Sequence, residues 1–207
     1  ANEEIRFCCV GVGGKGQSDS SDAGRSGKVV GICDVDEKNL DKAGDRFEGA
    51  KKYFDYRKML DEIGDNFDAI TVSTPDHMHV PVASAAVRMK KHAFVQKPMA
   101  HSIYEARTLS DLSKEFGVAT QMGNQGTANN PLRECAAIVT SGALGTVKEV
   151  HVWTNRPVWP QRDDLEIKEE EAPSHVHWAE WIGRAKMRPY SPAYHPFKWR
   201  GFWDFGT

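Results

Sequence analysis

Short apolar runs recur through the first part of the chain, each followed by a glycine-rich, proline-rich or polar break. Phe7 to Val10, Val29 to Cys33, Phe67 to Val72 and His92 to Val95 are nearly continuous, as strands buried on both faces of a sheet are. Lys51 to Phe54 and Val118 to Gln121 complete the set of predicted strands. Between them the period lengthens. Leu40, Ala43 and Phe47 form one stripe of a helix from Asp36, whose side chain is placed to cap it. Tyr56 to Ile63 predicts a short helix, and Pro81 opens another through Val82, Ala86 and Met89. Ser102-Ile103-Tyr104-Glu105 is a capping box ahead of Ile103, Ala106, Leu109, Leu112 and Phe116, and Asn130-Pro131 starts a helix that stops near Gly142. Gln17 to Ser26 has to be the first helix, although its Ser, Asp and Gly give it little propensity. Strands alternating with helices predict an α/β fold, a doubly wound parallel sheet with ligands at the carboxyl ends of its strands.

After Gly145 the texture changes. Val147 to Thr154 alternates like a half-buried strand. Asn155-Arg156-Pro157-Val158-Trp159-Pro160 follows, then an acidic stretch, Asp163 to Glu171, read as a solvated loop, and a tail rich in tryptophan. A second domain is expected to begin at residue 125 and to be unfinished at Thr207.

Composition adds bounds. The 207 residues are 40% hydrophobic and 27% charged, an ordinary globular balance, and the net charge of -2 gives no basic field for nucleic acid. No apolar run approaches the length needed to cross a bilayer. Cys8, Cys9, Cys33 and Cys135 lack metal-ligand spacing, and the first three fall in predicted strands as small buried hydrophobes. His77 with His79, and His175 with His177, each sit two apart without a third ligand, so no metal is expected. The chain begins at Ala1 without an initiator Met, as after removal of an export signal or after shortening.

The chemistry gathers in Ile5 to Asp36. Gly11, Gly13 and Gly16 have the G-x-G-x-x-G spacing after a strand, and Asp34 ends the next strand about twenty residues on. Gly11 turns the chain, Gly13 lets a pyrophosphate approach the backbone, and Gly16 allows the next helix to pack closely with its N-terminus facing the anion. Asp34 is placed for the adenosine ribose hydroxyls and repels a 2′-phosphate, so the cofactor expected is NAD, held also by Gly14 and Lys15. Other loops that follow strands would converge on the same edge: Ser73-Thr74-Pro75 with His79, Gln96-Lys97-Pro98, and Asn124.

This combination resembles the glucose–fructose oxidoreductase, inositol dehydrogenase and rhizopine-catabolism (Gfo/Idh/MocA) family. The resemblance covers the chain and is strongest from Phe7 to Asn124; Trp153 to Pro157 and Tyr194 to Gly201 look like a bacterial subgroup. It implies a Rossmann domain over residues 1–124, then a substrate and oligomerisation domain with a mainly antiparallel sheet, and assembly as a dimer or tetramer. It implies that Lys97 stands beside the nicotinamide and the reacting hydroxyl. The usual motif is Glu-Lys-Pro, whereas this chain has Gln96. The family's histidine and aspartate pair lies further along than Thr207, and its arginine after the sixth strand is replaced here by Asn124-Gln125-Gly126. The implied reaction is hydride transfer between a secondary hydroxyl of a sugar or polyol and the nicotinamide. Asn155, Arg156, Tyr194, His195 and Arg200 are of the types that bind sugars, though a tryptophan-rich stretch also serves as core or interface. Alternatives are an enzyme that recycles NAD in place during epimerisation or glycosidic cleavage, and a non-catalytic dinucleotide sensor. The 207-residue chain is expected to lack turnover in isolation. The subgroup's twin-arginine leader points to the periplasm.

Overall fold

The computed structural model describes residues 4–157, 159 and 166–206. Six strands form one sheet: β1 (Arg6–Val10), β2 (Lys28–Cys33), β3 (Lys51–Tyr53), β4 (Ala69–Val72), β5 (His92–Gln96) and β6 (Thr120–Gly123). Their order is β3-β2-β1-β4-β5-β6, and every pairing is parallel. The order reverses direction between β1 and β4, which opens a crevice at the carboxyl ends of those two strands.

Helices cover both faces. α1 (Lys15–Ser26) and α2 (Glu37–Arg46) lie on one; α3 (Tyr56–Ile63), α4 (His79–Arg88) and α5 (Ile103–Phe116) lie on the other. Alternation along β1 divides the core. Cys8 and Val10 join Met59, Ile70, Val82 and Leu109, whereas Cys9 joins Ile32, Ala23 and Ala43. Each fully buried aliphatic side chain contributes roughly 2 kcal/mol. Burial pushes the Cys8 thiol up to about 12 and Cys9 up to about 11, so both remain protonated packing groups.

The local signals act as expected. Asp36 caps α2 by accepting from Lys38 N–H, and Ser102 caps α5 by accepting from Glu105 N–H. Glu105 reaches back one residue further than a capping box requires, to the His101 N–H at 2.9 Å. The sixth strand starts two residues later than predicted. Gly117 takes φ 64°, and Val118 N–H donates to Ser113 O at 3.0 Å, so Val118 closes α5 instead of entering the sheet.

Beyond β6 stand α6 (Gln125–Ala128), α7 (Asn130–Thr140) and α8 (Trp178–Ile182). The strand expected at Val147 to Thr154 is absent. Those residues pair with no strand among the described residues, and Val150, Val152 and Trp153 are 75%, 90% and 85% exposed. Alternation marks a strand only where a neighbour completes the ladder and covers its apolar side. Val158, Pro160 and the start of the acidic stretch, Asp163 to Leu165, lie outside the described residues, while Glu169 to Glu171 are exposed.

The tryptophan-rich tail folds back onto the sheet domain. Trp181, Ile182, Tyr194, Trp199 and Phe205 make an aromatic core, with Trp178 stacked on Trp181 at 4.7 Å. Val176 bridges Asp36, and His177 N–H donates to Val35 O at 2.8 Å. Arg184 ties this block to the sheet domain through His77 O at 2.8 Å and the Glu105 carboxylate at 3.2 Å.

Candidate active site

A cleft of about 690 Å³ opens at the carboxyl ends of the strands. Its floor is the turn from β1 into α1. Gly11 takes φ +77°, and a Cβ there would lie 2.7 Å from the Ser73 carbonyl, so the glycine turn and the loop after β4 touch through backbone alone. A Cβ on Gly16 would sit 1.8 Å from Gly11 O, which lets α1 start directly against the turn. A Cβ on Gly14 would meet nothing within 4 Å, and no side chain caps the start of α1. Open space over an uncapped helix N-terminus without acidic residues in its first turn fits a pyrophosphate.

Asp34 directly follows β2, with its carboxylate folded onto this turn. It accepts from Val12 N–H at 2.8 Å, Gly13 N–H at 3.1 Å and Asp36 N–H at 2.9 Å. Burial pushes its carboxyl above the usual range, and the three N–H donors and the Asn39 side chain oppose that rise. A carboxylate has about four acceptor positions, so beyond the three backbone donors a ribose hydroxyl competes only with Asn39. Phe54, just after β3, and Tyr56 and Arg57, at the start of α3, extend the cleft on this side.

On the other side stand Ser73, Thr74 and Pro75 after β4, Gln96 at the end of β5, and Lys97 just after it. Lys97 N–H donates to the Gln96 side-chain carbonyl at 2.8 Å. His79 is 1% exposed and stands behind the cleft wall. Its Nδ1 lies 2.6 Å from Pro98 O and its Nε2 2.8 Å from Thr74 O, so the ring joins the loop after β4 to the lysine turn. Gln125 lines the cleft, whereas Asn124 sits beside it with its N–H on Met122 O.

The aromatic block supplies the remaining wall through Trp159, Trp181, His195, Trp199 and Arg200. Burial holds His195 below the ordinary imidazole range and lowers Arg200 as well. Tyr194 is 6% exposed inside the aromatic core, Arg156 lies over the Trp159 ring at 5.9 Å, and Asn155 is exposed away from the cleft. Of the residues selected from the sequence, Gly11, Gly13, Gly14, Lys15, Asp34, Ser73, Thr74, Pro75, Gln96, Lys97, His195 and Arg200 meet in this one space. Gly16, His79, Asn124, Asn155, Arg156 and Tyr194 do not line it.

One buried group was not singled out from the sequence. Asp19 is 6% exposed on the inner face of α1, where it accepts from Ser73 and Gln96. A carboxylate in helical register with Gly16, Ser20 and Ala23, the other buried residues of α1, was the available signal.

The histidine pairs serve structural contacts. His177 Nε2 lies 2.9 Å from Glu37 and its ring stacks on Phe54 at 3.9 Å, while His175 approaches Asp36 at 3.9 Å. His77 is fully buried, with Nε2 3.2 Å from both Trp181 O and Ile182 O, so the neutral ring carries its proton on Nε2. Burial brings its imidazole down to about 4, and the nearby Arg184 and His101 charges act in the same direction. Its folded value lies below the unfolded one. Its contribution is therefore complete above about pH 6.5 and is lost as the pH falls toward 4. Unfolding free energy from urea titrations should drop by about 2 kcal/mol between pH 7 and pH 5 through this group, and His77→Gln should remove that part of the slope.

Comparison with known proteins follows the same lines. Residues 5–124 match the model of the Gfo/Idh/MocA oxidoreductase family, NAD-binding Rossmann fold. A D-apiose dehydrogenase of Rhizobium rhizogenes is 26% identical over 117 residues, 56% of this chain and 33% of that protein. A glucose-6-phosphate 3-dehydrogenase of Bacillus subtilis is 24% identical over 128 residues, 62% of this chain and 35% of that protein. The WlbA dehydrogenase of Bordetella pertussis, solved with NADH and UDP-GlcNAcA, superposes with a TM-score of 0.61 at 25% identity, covering 69% of this chain and 44% of that one. The myo-inositol 2-dehydrogenase of Lactobacillus plantarum shares the fold at a TM-score of 0.64 and 22% identity, covering 70% of this chain and 43% of that one. The matched region thus spans between a third and less than half of the length of these relatives. Because the family model accounts for more than half of the 207 residues, the chain belongs to the Gfo/Idh/MocA oxidoreductases and carries their NAD-binding Rossmann domain.

Proposed function

We propose that the full-length protein oxidises a secondary hydroxyl of a sugar or polyol, or reduces the corresponding ketone, with Lys97 at the reacting oxygen. The observation that carries this reading is the position of Lys97. It lines the same cleft as the glycine turn and Asp34, at the far side of the crevice between β1 and β4. Bound NAD supplies the hydride acceptor. Gly13, Gly14 and the start of α1 receive the pyrophosphate, and Asp34 receives the ribose. In oxidation Lys97 Nζ, as the free amine, accepts the hydroxyl proton as the hydride leaves, and the ammonium so formed stabilises the negative charge developing on that oxygen; in reduction the ammonium returns the proton. His195 and Arg200 offer donors, and the neighbouring tryptophans an aromatic face, for the remaining hydroxyls. The sugar dehydrogenases among the relatives support the substrate class.

The test is the full-length protein mixed with NAD and a panel of sugars and polyols, followed by absorbance of the reduced cofactor. Reduction with at least one member is expected. Tight NAD binding without reduction by any sugar or polyol would overturn the reading in favour of a dinucleotide sensor.

A further inference from the structure

The cleft rests on a buried anion. Asp19 Oδ2 accepts from Ser73 Oγ at 2.7 Å and from Gln96 Nε2 at 3.0 Å, while the Lys15 ammonium pairs with Oδ1. Three elements of the rim therefore meet at one carboxylate: the start of α1, the loop after β4 and the end of β5. A charge this far from water is costly unless donors surround it, and here three do.

The chemistry of the contact fixes its direction. An ionised carboxylate only accepts, so Gln96 must turn its amino group toward Asp19. The amide oxygen is then left for the Lys97 backbone N–H, 2.8 Å away. With its orientation reversed, Gln96 would point oxygen at carboxylate and amino group at N–H, losing both bonds. An anion in α1 thus sets the conformation of the lysine turn through one amide, and that of the Ser73 loop through one hydroxyl.

We infer that Asp19 is a positioning residue of this site: its carboxylate, relayed by Gln96 and Ser73, holds the Lys97 turn and the loop after β4 in register with the glycine turn. What Lys97 does once positioned rests on the oxidoreductase reading above; the network itself does not. The bonds can be kept with donors and acceptors exchanged. In the double variant Asp19→Asn, Gln96→Glu, the asparagine amino group donates to the introduced carboxylate and to Ser73 Oγ, and the asparagine oxygen still faces Lys15. The second oxygen of the introduced carboxylate accepts from Lys97 N–H. Either single change breaks the set. Gln96→Glu opposes two carboxylates, and Asp19→Asn sets an amino group against either the Gln96 amino group or the Lys15 ammonium.

The experiment compares the full-length wild type, both single variants and the double. Two quantities are read: hydrogen exchange at the Lys97 amide without nucleotide, and the NADH dissociation constant from fluorescence. Each single variant is expected to speed exchange and weaken NADH by roughly tenfold, the effect of losing one charge-assisted bond. The double should return both to within about threefold of wild type. Unchanged exchange in the singles, or a double as impaired as they are, would overturn the inference. Should a single variant fail to fold, recovery of folding in the double supports it and failure of the double refutes it. Absence of sugar oxidation by the wild type would remove the enzymatic reading alone, because the exchange measurement needs neither nucleotide nor substrate.

Discussion

Replacing Lys97 by methionine in the full-length protein is expected to cut turnover with the proposed sugar or polyol substrate by roughly a hundred- to ten-thousandfold, the range for loss of a positioned proton-transfer group. The NADH dissociation constant should change by no more than about threefold, since the glycine turn and Asp34, not the ammonium, are assigned to the nucleotide. The chain length of lysine is largely retained in methionine, so the cleft wall keeps its volume while the charge is lost. Stopped-flow measurement of cofactor reduction separates the two quantities. A variant that loses NADH affinity by as much as it loses rate would move Lys97 from the reacting oxygen to the nucleotide. A variant with wild-type rates would end the catalytic assignment.

The second large effect is on folding. Gly16→Ala should lower the unfolding free energy by roughly 3 kcal/mol and abolish NAD binding. The new methyl would lie 1.8 Å from Gly11 O, 2.7 Å from the Gly11 carbonyl carbon and 3.1 Å from the Ser73 Cβ. The first two belong to the glycine turn and the third to the loop after β4, both tightly packed, so α1 would have to lift off β1. Gly14→Ala is the control. Its methyl meets nothing within 4 Å, but φ +50° with ψ -121° is a backbone conformation left to glycine, so a loss of roughly 1–2 kcal/mol from strain alone is expected. Urea unfolding of the two variants beside wild type checks the contrast. Equal stabilities would contradict the close approach of Gly16 to Gly11.

The sheet was readable because parallel strands covered on both faces are written as continuous apolar runs, and β1, β2, β4 and β5 are such runs. The helix starts at Asp36 and Ser102 were readable because a cap is a local, single-residue signal. The cleft's position followed from topology, since loops that follow parallel strands share one edge. The chain's remaining features depend on partners distant in sequence. Val147 to Thr154 has the right alternation, but a strand needs a neighbour, and nothing local shows whether one exists. Tyr194 is chemically a sugar-binding type, yet its ring is enclosed by Phe202 and Phe205. His79 lies close in sequence to the cofactor loop, but both its nitrogens face inward, to Thr74 and Pro98. Asp19 stands out only in three dimensions, because its two distant side-chain donors, Ser73 and Gln96, lie 54 and 77 residues away.

The three amide contacts of Asp34 bear on any attempt to re-engineer nucleotide preference. The usual route to accepting a phosphorylated ribose removes this acid and installs a basic neighbour. Here the acid is also the clip that closes Val12 and Gly13 onto the end of β2. A redesign that deletes it would loosen the turn proposed above to receive the pyrophosphate. A successful one has to provide a neutral acceptor, such as serine or asparagine, in the same place before adding the positive charge.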